Sequence, residues 1–300
     1  MAVNRPVHLA LYGLLGDLDF TKARCCAESM KHREPEKISE VVVVPMLEFD
    51  WDMFVEEKKK ELRGDAWTFE DKAIAFINGE FLGGATALLD WAMENYNYED
   101  FRPVPLYQTF AEQQYVDFLN SRKHDFVFMD ISIGGEPAGR LVIELFSNDV
   151  PKTCENFKCL CTGERGVSEH NELESYNLHY KGHLFHRIVP NGWIQGGDIW
   201  ADRGNGGECV FDEVFEDENF AIKHDRRGII GMANKGRHTN GSQFYITLQA
   251  APWMNTKYVA FGQVIKGTET LKKIESQETI IERPSKDIRI ADCGPLTFSY

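Results

Sequence analysis

Arg187 stands in the stretch FHRIVPNGWIQGGD, residues 185–198, with Gln195 eight positions further on and Asn234 and Gln243 in the later stretches MANKG and TNGSQFYIT. A guanidinium and three carboxamides donate hydrogen bonds, and none is a nucleophile, so the chemistry on offer is electrostatic rather than covalent. The plain alternative for Arg187 is a surface ion pair. Other patterns exclude other chemistries. Cys154, Cys159 and Cys161 lie on or after one helix without paired histidines at ligand spacing, which gives no zinc site. Gly196, Gly197, Gly206 and Gly207 lack the spacing of a phosphate-binding loop and read as tight turns. No metal, nucleotide or other cofactor is expected.

These residues need elements to hold them. From Phe126 onward short strands with frequent glycine, as in FVFMDISIGG, GRLVIELF and GSQFYITL, predict a closed antiparallel barrel. Two helices interrupt it. VPKTCENFKCLC opens with Pro151 near its first turn, where the missing N–H costs nothing, and TETLKKIES forms the other. His186 is expected to pack beside the barrel.

The first hundred residues have a different texture. VHLALYG, EVVVVP and AIAFING read as strands, and DFTKARCCAESMKH, DMFVEEKKKELR and GATALLDWAMENY as helices, which predicts a small α/β sandwich. The run KKKELR at 58–63 is the solvated face of its helix. Between the two regions lies a linker with Pro103 and Pro105, ending in a helix marked by the spacing of Leu106, Phe110, Tyr115 and Phe118.

Composition agrees with two soluble domains: 300 residues exceed one ordinary core, and 43% are hydrophobic and 27% charged. A formal charge of −14 argues against nucleic acid, whose binding rests on displaced counterions. No apolar run approaches the ~20 residues that cross a bilayer, so no membrane association is expected. The N-terminus lacks the pattern of a secretory signal, and seven cysteines are no disulfide framework, which points to the reducing cytoplasm.

The series VPKTCENF, FHRIVP, QGGD, FEDENF, MANKG, TNGSQFYIT, VAFGQV and ADCG resembles the cyclophilins, peptidyl-prolyl cis-trans isomerases, over about 175 residues. The resemblance implies an eight-stranded antiparallel barrel capped by two helices, in residues 125–300. Between Gly166 and Tyr180, VSEHNELESYNLH is longer than in compact members and reads as an acidic surface loop, a tolerated insertion or a partner contact. Residues 1–100 resemble a degenerate thioredoxin or glutaredoxin through FINGEFLGGATALLDW, and residues 101–124 are the linker with its helix. Where that fold carries Cys-x-x-Cys, this chain has Asp17-Leu18-Asp19-Phe20, and Ala73 replaces the nearby proline. Cys25 and Cys26 are read as packing residues, with a redox role as the weaker option.

The cyclophilin resemblance also assigns roles. Arg187 matches the arginine that donates to the imide nitrogen as the peptide bond twists, while Gln195, Asn234 and Gln243 match positions that hold the substrate backbone and the arginine. Trp253 matches the rim indole and Ala233 a small residue beside the groove. The apolar cup for the proline ring, usually Phe and Met before the glutamine, a later Phe and a Leu, reads here Gly192, Trp193, Tyr245 and Met254, with Tyr258 for the rim histidine. With a phenyl wall missing, the expected function is a proline-peptide or protein-binding scaffold with weak or no turnover. The alternative is an active isomerase assisting folding. A cytoskeletal or ciliary assembly is a further expectation for the partner, and cytoskeletal association for the location; no residue derives either.

Overall fold

In a computed structural model, which describes residues 6–168 and 176–298, the chain divides into unit 1, residues 1–122 with 298–300, and unit 2, residues 123–297. Unit 1 opens with β1 (Val7–Leu14), which pairs in parallel with β2 (Ile38–Met46) across α1 (Leu18–Arg33). After α2 (Glu48–Leu62), β3 (Ala73–Ile77) and β4 (Glu80–Gly83) form a hairpin beside β1, giving the order β2-β1-β3-β4, and α3 (Ala85–Tyr96) follows. Leu9 and Leu11 of β1 are buried with Phe20 and Met30 of α1 and Leu88 of α3. Tyr12, one position on and therefore on the other face, stacks on Phe54 of α2 with ring centroids 4.8 Å apart. Helices thus cover both faces, as the expected α/β sandwich requires. The arm β4 is an element that the sequence reading did not assign.

At the start of α1, where a redox pair would stand, Asp17 caps the helix instead, accepting from the N–H of Asp19 at 2.9 Å and of Phe20 at 3.0 Å. Burial pushes the Cys26 thiol up to about 12 and raises that of Cys25 as well. Neither carries the depressed value that a reactive thiolate needs, which speaks against the redox option for residues 1–100.

The expected linker helix is α4 (Val104–Arg122). Its buried residues are Tyr107, Ala111 and Leu119, while Leu106, which the spacing had singled out, is 37% exposed. The Tyr107 hydroxyl donates to Asp100 and accepts from Arg102, which anchors that face of the first turns inward.

Unit 2 is built from β5 (Asp125–Ile133), β6 (Glu136–Leu145), α5 (Pro151–Thr162), β7 (Phe185–Val189), β8 (Trp193–Gly196), β9 (Ile229–Met232), β10 (Phe244–Thr247), β11 (Ala260–Lys266), α6 (Thr268–Glu275), the short arms β12 (Thr279–Ile280) and β13 (Arg283–Pro284), and β14 (Ile288–Pro295). Eight strands pair in the order β14-β5-β6-β11-β9-β10-β8-β7, every neighbour antiparallel. The bridge Leu184–Arg289 and the bonds from Gly182 N–H to Ile290 O and Ile290 N–H to His183 O bring the two ends together. Inside, Phe157 of α5 meets Tyr180, Phe244 and Phe261 at centroid distances of 5.2, 5.1 and 4.9 Å. The carboxylate of Glu218, in FEDENF, accepts from the backbone N–H groups of Lys152 and Thr153 and so caps α5 from a distant loop. The central part of the expected acidic loop, 169–175, lies outside the described residues; the Val167–Asn177 bridge joins its flanks.

Candidate functional site

Arg187 projects from β7 and is held from an unexpected side. Its Nε donates to Glu282 Oε2 at 2.7 Å, and its guanidinium carbon lies 5.3 Å from the centroid of the Trp193 indole. The carboxamides expected to fix the arginine form their own chain instead. Gln195 Oε1 accepts from the Trp193 indole N–H at 3.4 Å, Gln195 Nε2 donates to Gln243 Oε1 at 2.9 Å, and Gln243 Nε2 donates to Gly206 O at 2.8 Å. Asn234 is tied to the rim, donating to Lys257 O at 3.2 Å and accepting from Gly236 N–H at 3.3 Å. Sequence reasoning missed Glu282, because the segment around it carries none of the motifs that mark the rest of the site.

The residues expected to line the cup pack on one another. Tyr245 and Met254 are buried with Ala251, and Trp193, Ala233 and Tyr258 pack against them. Trp193 also meets the half-exposed Trp253 at 5.7 Å and 57° between ring planes, and Tyr258 meets Tyr245 edge-on at 5.9 Å. The indole of Trp193, next to Gly192 in the chain, packs against this cluster. Trp253 and Met254 sit on one short turn, Pro252–Met254, so the rim and the floor are set by the same local backbone.

Tyr245 brings a hydroxyl into the barrel, and two residues accommodate it. A Cβ on Gly231, opposite it in the β9–β10 register, would fall 2.2 Å from the Tyr245 oxygen, so only glycine leaves room. The hydroxyl donates to Nε2 of the fully buried His224 at 2.6 Å. On the other side Asn255 Oδ1 accepts from the His224 backbone N–H at 2.9 Å and lies 3.0 Å from Nδ1, which assigns the proton to Nδ1. Burial lowers the His224 pKa below 6.5, against a smaller opposite pull from Asn255. His186 is also buried; its ring nitrogens have no hydrogen-bond partner among the described residues, and burial again lowers its pKa.

A buried neutral histidine makes stability depend on pH. Between the lowered native value and about 6.5 the unfolded chain takes up a proton that the native chain refuses, so stability falls as the pH drops through that window. Each such group costs up to ~1.4 kcal/mol per pH unit. Denaturant midpoints should therefore fall between pH 7 and 5.5, and His224→Gln should flatten that slope.

Beside the packed cup lies an open depression of ≈ 290 Å³, lined by Gln195, Gln243, Ala233, Asn234, Lys235, Thr239 and the glycine-rich loop 204–207. Asp198 shapes that loop. Its buried carboxylate accepts from the N–H groups of Trp200 and Ala201 on one oxygen and of Arg203, Gly204, Asn205 and Gly206 on the other, at 2.8–3.3 Å. The structure thus gathers Arg187, Trp193, Gln195 and Gln243 into one connected group, with Trp253 against it. Tyr245, Met254, Tyr258 and Ala233 form the apolar neighbour, and Asn234 lies at the far rim.

An eight-stranded antiparallel barrel with two helices, carrying an arginine on β7, a glutamine on β8, another just before β10 and a rim tryptophan on the turn Pro252–Met254, defines the class. The chain belongs to the cyclophilin-type peptidyl-prolyl cis-trans isomerase family, which it matches over residues 128–295. Similarity to particular members extends over almost the whole length. It is 48% identical over 291 residues, 97% of this chain and 92% of the relative, to the Homo sapiens protein named "Probable inactive peptidyl-prolyl cis-trans isomerase-like 6". The Mus musculus protein of the same name is likewise 48% identical, and that of Bos taurus is 46% identical over 293 residues, 98% of this chain and 94% of the relative. Among the described residues no helix is long and apolar enough to cross a membrane.

Proposed function

We propose that this divergent cyclophilin is a binding module for a proline-containing peptide or protein, with weak or no isomerase turnover. One observation supports the reading: Trp193 packs against the cluster of Tyr245, Ala251 and Met254, and if these positions are the proline cup that the resemblance assigns them, the chain's own side chains take the room of the ring. Catalysis of rotation needs a donor that meets the imide nitrogen better in the twisted transition state than in the planar ground state. A ring that is not seated beside Arg187 gains no such preference. The word "inactive" in the names of the relatives agrees with it.

Within this proposal the module is residues 125–300, and 1–100 with the linker 101–124 serve as a docking part. Gln195, Gln243, Ala233 and Asn234 take an extended segment along the open depression, Trp253 covers it, and Arg187 is a relic of the chemistry. A cytoskeletal or ciliary assembly finds no support in any residue described above and forms no part of the proposal. The test is an exchange measurement on an Ala-Pro tetrapeptide with the full chain. The expected rate lies within about twofold of buffer; a tenfold acceleration, equivalent to ~1.4 kcal/mol of transition-state stabilisation, by folded protein overturns the reading.

A further inference from the structure

We propose that Glu282 is a positioning residue: its hairpin latches Arg187 over the Trp193 indole and so keeps that indole seated in the proline recess. The inference rests on the reading that Trp193 closes the recess.

The hairpin of β12 and β13 turns through Ile281 and Glu282, whose φ angles are 51° and 63°. A two-residue turn with both central residues at positive φ is normally made by Asn-Gly, and a β-branched residue there is strained. Such strain persists where the surroundings over-determine the backbone. Here the exposed tip offers no apolar reason, since Ile280 is 71% and Ile281 96% exposed. What fixes the turn is polar and comes from β7. Glu282 O accepts from Ile188 N–H at 2.7 Å, and the Glu282 side chain takes the Nε–H of Arg187, one residue earlier on the same strand. Backbone and side chain of one residue therefore grip two successive residues of β7.

The far side of the grip is the indole. Trp193 has the Arg187 guanidinium over its ring at 5.3 Å and the Trp253 ring at 5.7 Å, and its N–H reaches Gln195. An arginine free to swing would leave one face of that indole uncovered. Glu282, joined to Arg187 across 95 positions of sequence, removes that freedom.

The test uses the full chain with Glu282→Ala, Glu282→Gln and Glu282→Asp. Nuclear magnetic resonance would follow the Trp193 indole N–H, assigned with Trp193→Phe, and the Arg187 Nε–H; binding of a succinyl-Ala-Ala-Pro-Phe peptide would be measured alongside. In Glu282→Ala both resonances should move and the peptide should bind about threefold to tenfold more tightly, as loss of an exposed ion pair and its cation–π contact allows. Glu282→Asp should restore both in part. Unmoved resonances in folded Glu282→Ala overturn the proposal, and should that variant not fold, Glu282→Gln decides by the same two signals. If the Trp193 signal moves while peptide affinity stays flat, the positioning role stands and the closed-recess reading fails.

Discussion

Phenylalanine at Gly192 together with methionine at Trp193 should raise the rate at which this chain isomerises an Ala-Pro peptide by about ten- to a hundredfold. The uncatalysed barrier is ~18–20 kcal/mol, and an arginine aimed at the imide nitrogen lowers it only when the ring is held in place. Each apolar wall restored to the recess is worth ~1.5–3 kcal/mol of contact, and each ~1.4 kcal/mol that reaches the transition state is a factor of ten. Methionine at 193 withdraws the indole from the Tyr245–Met254 cluster, and phenylalanine at 192 supplies the missing wall. The backbone permits the second change, because Gly192 is not among the glycines at positive φ. Space is tighter: a Cβ there would meet Val189 Cγ1 at 3.0 Å and Val189 O at 3.3 Å, so the valine side chain must give way. Trp193→Met alone should therefore gain less than the pair. A folded double variant that binds the peptide yet leaves its exchange rate at the buffer value would show that the recess is not what limits turnover.

Asp198→Ala is expected to be among the most destabilising single changes in unit 2, by about 2–4 kcal/mol, because several partly buried N–H groups lose their acceptor at once. The loss should be seen as a lower denaturant midpoint together with faster amide exchange at Gly204, Asn205 and Gly206. Binding at the open depression should fall with it, since those residues are its wall. Burial alone would raise the Asp198 pKa, but the bonds from Ala201, Gly206, Trp200 and Arg203 outweigh it and hold the carboxyl below its ordinary 3.8. Its contribution is accordingly present above about pH 4 and is lost as the pH falls through the native value. Asp198→Asn, with one acceptor oxygen left, should lie between the parent and the alanine variant.

Much of the barrel was legible because its signals are local. FHRI, QGGD and TNGSQFYIT each carry strand, turn and site residues within a few positions, and their order fixes the rest. Arg187, Gln195 and Gln243 could be found that way. Glu282 could not, since its partner lies far off in the chain and IIERPSKD holds no Asn-Gly turn to announce a hairpin. The converse holds at Asn78-Gly79, a turn signal in the sequence whose second arm, four residues long, was too short to show alternation. Helix α4 was found from spacing, and of its marked residues Phe110, Tyr115 and Phe118 are half-buried while Leu106 is exposed; the polar anchor from Tyr107 to Asp100 and Arg102 leaves no periodic mark. Sequence could identify Trp193 as foreign to the cup but not say where its ring would go; that depends on packing among residues from three separate segments.

The slot that Gly231 leaves for the Tyr245 hydroxyl ties the two positions together. Alanine at 231 collides with the phenol, while phenylalanine at 245 strands a proton acceptor on His224 and leaves a void. Either exchange alone is therefore expected to cost stability, and the two together less than their sum, so neither position is free to vary while the other stays as it is.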